Sequence, residues 1–111
     1  MTITLPVPPS ANRYWRNFNG RMVTSSEARA YKEQAAWTAK AAGAELIVGD
    51  VSVTMRVYRP AKRGDIDNYL KILCDSMQGV FYSDDSQIVR IVAERYDDKH
   101  NPRVEVEVAP A

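Results

Sequence analysis

An alternation of apolar and polar residues near the middle of the chain restricts the possible folds more than any other feature. From Val51 to Tyr58, valine and methionine occupy every second position, and polar, charged or aromatic residues lie between them. A period of two is typical of a β-strand with one buried face, because successive side chains point to opposite sides. Pro60 ends this strand. The pattern therefore predicts a sheet that is covered on one side.

Further strands are predicted on both sides of this segment. A positive φ suits both residues of Asn19-Gly20, so this dipeptide predicts a hairpin turn between two of them. The polar loop 97–102 is predicted to join the last two strands as an antiparallel hairpin. The predicted strands are Ile3–Val7, Tyr14–Phe18, Arg21–Thr24, Ile88–Tyr96 and Arg103–Val108.

Two helices complete the predicted set. The first runs from Ser25 to about Ala42, with Thr24 as its N-cap and Glu27 completing a capping box. The second runs from about Ile66 to Gln78, and a glycine ends each helix. We therefore expect one domain over residues 1–111, a two-layer α+β fold with a mostly antiparallel or mixed sheet and two main helices.

The first helix carries two apolar faces. The larger face consists of Ala28, Tyr31, Ala35, Ala39 and Ala42, and it is predicted to pack on the sheet. The second face carries Trp37 between two alanines. Two interpretations are open for it: Trp37 contacts a partner subunit, or it packs under a loop.

Composition excludes several classes of protein. Of the 111 residues, 45% are hydrophobic, which excludes a disordered chain, and apolar runs are too short to span a membrane. The N-terminus lacks the basic and apolar regions of a signal peptide. The single cysteine, Cys74, excludes an internal disulfide and a multi-cysteine zinc site. The expected location is the reducing cytoplasm.

The net charge of +1 hides a separation of charge along the chain. The sum argues against binding to nucleic acid by basicity alone. Locally, four basic residues directly precede a stretch that holds five of the 14 acidic residues. The basic residues are Arg56, Arg59, Lys62 and Arg63, and the acidic ones are Asp65, Asp67, Asp75, Asp84 and Asp85.

The aspartates of the acidic stretch are spaced so that their carboxylates are predicted to lie close together. Asp65 and Asp67 are two residues apart at a strand-to-helix junction, and on an extended chain they point to the same side. Lys71 lies one helical turn beyond Asp67, on a polar stripe that continues through Asp75 and Gln78. The pair Asp84-Asp85 is predicted in a loop before the next strand.

Structural roles are an alternative for each of these residues. An aspartate at a helix start is a common N-cap, Asp67 and Lys71 are spaced as an ion pair, and Asp84-Asp85 fits a turn. One aspartate is enough for a cap, however, so the doubling and the second pair remain unexplained. Clustered carboxylates are tolerated when a hard cation such as Mg²⁺ or Mn²⁺ neutralises them, and such an ion promotes phosphodiester hydrolysis.

Two blocks of sequence resemble a known family. They are LPVPPSANRYWR with the following GR, from Leu5 to Arg21, and RGDIDNYLKILCDSMQGVFYSDDSQIV, from Arg63 to Val89. The second block combines Asp-x-Asp-Asn, a lysine four residues after the second aspartate, and Asp-Asp-x-Gln-Ile. This combination resembles the RusA family of Holliday junction resolvases.

The resemblance implies an Mg²⁺-dependent endonuclease, with Mn²⁺ as a substitute. It implies a homodimer that resolves four-way DNA junctions by paired, symmetric nicks, commonly encoded by a phage or prophage. It assigns catalysis to Asp65, Asp67, Asp85 and Lys71, and metal binding to the three aspartates with Asp84 as a helper. No organic cofactor and no membrane partner are expected.

DNA contacts are expected from two basic groups. One is Arg59, Lys62 and Arg63; the other, near the N-terminus, is Arg13, Arg16 and Arg21. In the N-terminal group the alternative is that the aromatic residues pack on the core while the arginines lie in solvent. Cys74 is predicted in the core and His100 on the surface. Two other functions are possible: a non-catalytic module that binds branched DNA, and a nuclease for other branched DNA in phage replication or packaging.

Overall fold

The structure is a computed structural model that describes residues 1–9, 15–18, 20–60 and 66–111, with side chains outside 15–18, 21–24 and 66–68. Within these ranges the chain forms six strands, two α-helices and a short 3-10 helix. The strands are β1 (Thr2–Leu5), β2 (Trp15–Phe18), β3 (Arg21–Thr24), β4 (Val51–Arg59), β5 (Ile88–Asp97) and β6 (Arg103–Pro110). The helices are α1 (Ser26–Ala41) and α2 (Ile66–Met77), and the 3-10 helix is Asp85–Gln87.

The main sheet is mixed, with strand order β1-β6-β4-β5. Strands β1 and β4 are antiparallel to β6, whereas β5 runs parallel to β4. The predicted α+β class with two helices is therefore confirmed. The hairpin expected between the last two strands is wrong, because β4 lies between them. The cause is helix α2, which carries the chain from β4 back to the start of a parallel neighbour.

The hairpin around Asn19-Gly20 is confirmed by the pairing of β2 with β3 in a separate two-stranded sheet. Gly20 has a φ of 77°, the left-handed conformation that such turns require. Asn19 lies outside the described residues.

The core lies between the helices and one face of the sheet. Burial alternates along β4 as predicted, and Val51, Val53 and Met55 are fully buried. The predicted face of α1 is buried except for Ala42, which is exposed because it lies beyond the last helical residue. The hydroxyl of Tyr31 donates to the carbonyl oxygen of Pro6 at 2.7 Å and ties α1 to the end of β1.

The start of α1 differs from the prediction by one residue. Ser25, and not Thr24, is the N-cap, and its Oγ accepts from the amide of Ala28 at 3.2 Å. With Ser25 as the cap, Glu27 lies one position too early for a capping box and instead faces the positive end of the helix dipole.

The sheet's other face carries no helix from the described parts of the chain. Across this face Arg56, Glu105, Arg103 and Asp98 form a chain of ion pairs with distances of 3.1 to 3.3 Å. In the same ranges, no helix combines the length and the hydrophobicity needed to cross a membrane.

Candidate active site

Helix α2 presents one apolar face to the core and one polar face to solvent. Tyr69, Ile72, Leu73 and Met77 are buried. Lys71 lies on the opposite side and is exposed. This separation follows from apolar residues at helical spacing. It directs the lysine singled out by the sequence away from the core.

Of the first two predicted carboxylate residues, the structure describes the backbone of Asp67 alone. Asp67 is the second residue of the helix, as the sequence predicted, but its side chain is outside the described residues. Asp65 is outside them as well. Lys71 follows Asp67 by four residues, which places the two one above the other on the helix surface.

The second pair, Asp84-Asp85, opens the 3-10 helix before β5. Asp84 is its N-cap and accepts from the amide of Ser86 at 3.1 Å. The side chain of Gln87 closes a capping box, because its Oε1 accepts from the amide of Asp84 at 3.1 Å. The turn interpretation is therefore confirmed for Asp84, while Asp85 remains exposed at the first position of the 3-10 helix.

Gln87 also ties this loop to the segment before β4. Its Nε2 donates to the carbonyl oxygens of Ile47 at 2.8 Å and Gly49 at 2.7 Å. The side-chain amide of Gln87 is therefore hydrogen-bonded at both atoms, through Oε1 to the loop and through Nε2 to the segment before β4. These bonds hold the loop that carries Asp85 against that segment. Sequence reasoning assigned Gln87 no role, although the Asp-x-x-Gln spacing from Asp84 is a capping-box signal.

A groove of about 380 Å³ brings the two elements together. Lys71 from α2 and Asp85 from the 3-10 helix both line it, and Ile91 of β5 forms one wall. Asp75 lines the groove too, and its Oδ2 lies 2.7 Å from Nζ of Lys32 on α1. The lining residues are Leu70, Lys71, Cys74, Asp75, Asp85 and Ile91.

The negative charges in the groove, together with burial, shift the pKa of nearby side chains. Burial and, to a smaller extent, the negative charges of Asp85 and Asp75 raise the pKa of the Cys74 thiol to about 11. Burial likewise raises the pKa of Tyr82, whose hydroxyl donates to the carbonyl oxygen of Cys74 at 2.6 Å. Cys74 is thus a protonated, partly buried thiol, which is consistent with the prediction that it belongs to the apolar face of the helix.

Asp84 is kept ionised by its position in the cap. The amide of Ser86 lowers its pKa most, and a hydrogen bond with the Asp85 side chain lowers it further. The two carboxyl groups are therefore close together. Carboxylate oxygens are the donors that a hard cation such as Mg²⁺ prefers, and the protonated thiol of Cys74 does not compete as a ligand. Among the described side chains no three acidic, histidine or cysteine groups gather, and the predicted set also needs Asp65 and Asp67.

Comparison with known proteins gives a consistent result. The family model for "Endodeoxyribonuclease RusA" matches residues 6–109. The chain belongs to the RusA family. Among its relatives, the crossover junction endodeoxyribonuclease RusA of Escherichia coli strain K12 is 36% identical over 91 residues, covering 79% of this chain and 76% of the relative. The enzyme of that name from Enterobacteria phage 82 is 38% identical over 92 residues, covering 78% and 75%. That of Shigella sonnei is 35% identical over 91 residues, covering 79% and 76%.

One basic residue of this RusA-family chain has a different place from the predicted one. Arg59 is only 6% exposed, and its Nε and Nη2 lie 3.0 and 2.8 Å from Oδ1 of Asp97. The prediction that Arg59 contacts DNA is therefore corrected, since its guanidinium group is buried against a neighbouring strand. The alternation of β4 extends to this position, and position 59 falls on the buried face.

The other predicted DNA contacts are not located by the structure. Arg13, Lys62 and Arg63 lie outside the described residues. Arg16 and Arg21 lie in β2 and β3, and their side chains are outside the described set.

Two further residues that the sequence analysis discussed are exposed. Trp37 is 74% exposed, so it does not pack under any described loop, and a shallow apolar groove on α1 surrounds it. His100 is exposed in the turn before β6, as predicted, where its amide donates to Asp98 at 3.1 Å.

Proposed function

We propose that this chain is an Mg²⁺-dependent endonuclease that resolves four-way DNA junctions by paired nicks. The observation that carries the proposal is the meeting of Lys71 and Asp85 in one groove beside helix α2. Family membership supports the reaction class, because relatives matched over about three quarters of their length carry the name crossover junction endodeoxyribonuclease.

The proposed metal ligands are Asp65, Asp67 and Asp85, with Asp84 as a helper. Bound there, Mg²⁺ or Mn²⁺ would supply an activated water and neutralise charge on the phosphate. The chain's own part is to hold the carboxylates in place. Gln87 does this for the loop through its bonds to Ile47 and Gly49.

Lys71 is proposed to act on the phosphate rather than on the metal. Lys71 lines the same groove as Asp85 and is exposed. A fixed positive charge at this place stabilises the negative charge that develops when the phosphodiester bond breaks. The protonated Cys74 beside it offers no thiolate ligand, so the groove favours hard cations, which bind oxygen ligands.

Duplex arms would be held by basic residues outside the groove. With Arg59 excluded by its burial, the proposed set is Lys62, Arg63, Arg13, Arg16 and Arg21.

A junction requires cuts in two opposed strands, and a two-fold homodimer provides two equal sites for them. The similarity to a phage 82 enzyme supports a phage or prophage origin and action inside the bacterial host.

The test compares three DNA substrates with the purified protein, with and without Mg²⁺. Synthetic four-way junctions should be nicked in pairs, flaps and linear duplex should be cut far more slowly, and removal of the metal should stop all cutting. Junction binding without any Mg²⁺-dependent cleavage would instead support a binding module. Faster cutting of flaps than of junctions would contradict junction resolution and support a nuclease for other branched DNA.

A further inference from the structure

Asp75 lies between two grooves on the helical side of the molecule. It lines the groove that holds Lys71 and Asp85, and it also lines a second groove of about 340 Å³ that both helices help to form. Lys32 of α1 lines the second groove, and its Nζ lies 2.7 Å from Oδ2 of Asp75. The ion pair therefore commits one oxygen of the Asp75 carboxylate to the neighbouring helix.

Lys71 has an acidic residue one helical turn away in each direction. Asp67 precedes it by four residues and Asp75 follows it by four, and residues at this spacing are neighbours on a helix surface. Under the proposed function Asp67 binds the metal. Asp75 is then the other acidic residue of α2, and its carboxylate would compete with the phosphate for the ammonium group of Lys71.

The structure shows how Asp75 is divided between these neighbours. Among the described side chains, its ion pair is with Lys32 and not with Lys71, which is exposed in the groove. The charge of Asp75 nevertheless reaches the groove. Burial raises the pKa of the Cys74 thiol most, Asp85 adds to this, and Asp75 adds a smaller increase. Neutralising Asp75 therefore changes the electrostatic environment in which Lys71 acts.

From these features we infer that Lys32 is a positioning residue for the nicking reaction. Its ion pair holds the carboxylate of Asp75 toward α1, so that the ammonium group of Lys71 is left for the phosphate of the substrate. The inference rests on the proposed function for the role of Lys71. It adds a residue of α1 to a site whose other described members come from α2, the 3-10 helix and β5.

The exposure of the ion pair sets the size of the expected effect. The side chains of Lys32 and Asp75 are 33% and 37% exposed, so water screens their attraction. Ion pairs of this kind change an equilibrium by up to about fivefold. Removing Lys32 should therefore slow the nicking of a bound junction by about three- to fivefold, because Lys71 then spends part of its time on Asp75.

A set of four variants tests the role of Lys32 by rescue. The measurement is the single-turnover rate of nicking of a four-way junction at saturating protein and Mg²⁺. Lys32→Met should be slower than the native chain, whereas Asp75→Asn and the double variant should nick at the native rate, because neither retains a carboxylate that captures Lys71. The matched control is Lys40→Met, an exposed lysine on the same helix. Equal slowing in both single variants and the double variant would show a merely structural contact between the helices and overturn the inference, as would a native rate in Lys32→Met.

A second comparison asks whether Lys32 acts through Lys71. In a Lys71→Met background no ammonium group is left for Asp75 to capture, so adding Lys32→Met should slow nicking no further. Residues that act through one another are non-additive in this way, whereas independent residues give multiplied effects. A further three- to fivefold loss in the double variant would contradict the proposed coupling of Lys32 to Lys71.

Chemical labelling measures the same coupling without DNA. Acetylation of Lys71 by an N-hydroxysuccinimide ester, quantified by mass spectrometry with Lys40 as the internal reference, should be about three- to fivefold slower in Lys32→Met than in the native chain, because an ammonium group paired with a carboxylate loses its proton less readily. Adding Asp75→Asn should restore the native rate. This labelling result in a protein that nicks no junction would refute the proposed function alone. Unchanged labelling of Lys71 in a protein that does nick junctions would refute the role of Lys32 alone.

Discussion

The two sides of the main sheet use their charged groups in opposite ways. On the open face, Glu105 accepts from Arg56 at 3.1 Å and from Arg103 at 3.3 Å, and Arg103 also covers the ring of Tyr58 at 3.8 Å. On the helix side, Lys71 and Asp85 line a groove and are exposed. The comparison teaches that net charge says little about a binding function. What matters is whether the charges are already bonded to one another.

The largest expected effect is on the groove carboxylate. Asp85→Asn should lower junction nicking by about a thousandfold, because a lost metal ligand removes several kcal/mol of transition-state stabilisation. Binding to the junction, measured by gel shift, should change little. The matched control is Glu107→Gln, an exposed carboxylate on β6. If Asp85→Asn and the control nicked equally fast, the charges on the helix side of the sheet would be no more important for nicking than those on β6.

Lys71 should have the next largest effect. Lys71→Met keeps the length of the side chain but removes its charge, and nicking should fall by about a hundredfold while the dissociation constant for the junction rises only slightly. Lys40→Met, an exposed lysine in the last turn of α1, serves as the control. If both substitutions weakened binding equally and left the rate of the bound complex unchanged, Lys71 would be a simple phosphate contact.

The alkylation rate of the Cys74 thiol measures the electrostatic environment of the groove in the absence of substrate. With a pKa raised from 9.0 to about 11, Cys74 carries about a hundredfold less thiolate at pH 8, and its alkylation should be slower by that factor than in the urea-unfolded chain. The rate should keep rising up to about pH 11. Asp85→Asn should move the inflection slightly downward, with burial still the main cause. An inflection near the ordinary value would mean that the groove is open to water at this point.

Gln87 links the groove to the rest of the fold, so its loss should affect stability and activity together. Gln87→Ala removes hydrogen bonds to four backbone groups, of Ile47, Gly49, Ser83 and Asp84. The free energy of unfolding should fall by about 1–2 kcal/mol, since water replaces part of the loss. Nicking should fall more than that destabilisation explains at saturating Mg²⁺. Unchanged nicking would show that Asp85 is positioned by other contacts.

Much of the fold follows from local patterns, and the rest depends on long-range pairing. The alternation of β4, the Asn19-Gly20 turn and the amphipathic spacing of α2 were sufficient to predict these elements. No local signal says that β5 pairs with β4 rather than with β6, because that choice depends on how α2 packs across the sheet. Thr24 and Ser25 are equally suitable caps on composition.

The same limit applies to the site. The spacing of Asp67 and Lys71 on one helix is visible in the sequence, but the meeting of Lys71 with Asp85 requires the parallel return through α2. Arg59 was misassigned because it lies in a basic run, although the alternation of β4 placed it on the buried face. Where periodicity and charge clustering disagreed, periodicity was the better guide.

The smallest expected effect is on the free energy of unfolding at acid pH, and it comes from carboxyl groups on the open face of the sheet. Hydrogen bonds from Arg56 lower the pKa of Glu105, and the amide of Asn101 lowers that of Asp98. Carboxyl groups with a depressed folded pKa stabilise the protein fully above their ordinary values, 4.5 and 3.8, and lose that contribution as the pH falls through the folded pKa. Urea unfolding between about pH 6 and pH 2.5 should therefore show a loss of stability at the acid end. Glu105→Gln should flatten this loss, whereas Glu107→Gln should leave it intact. Because the groups are exposed, high salt should shrink the difference between the two variants, and a difference insensitive to salt would place the acid-labile contacts elsewhere.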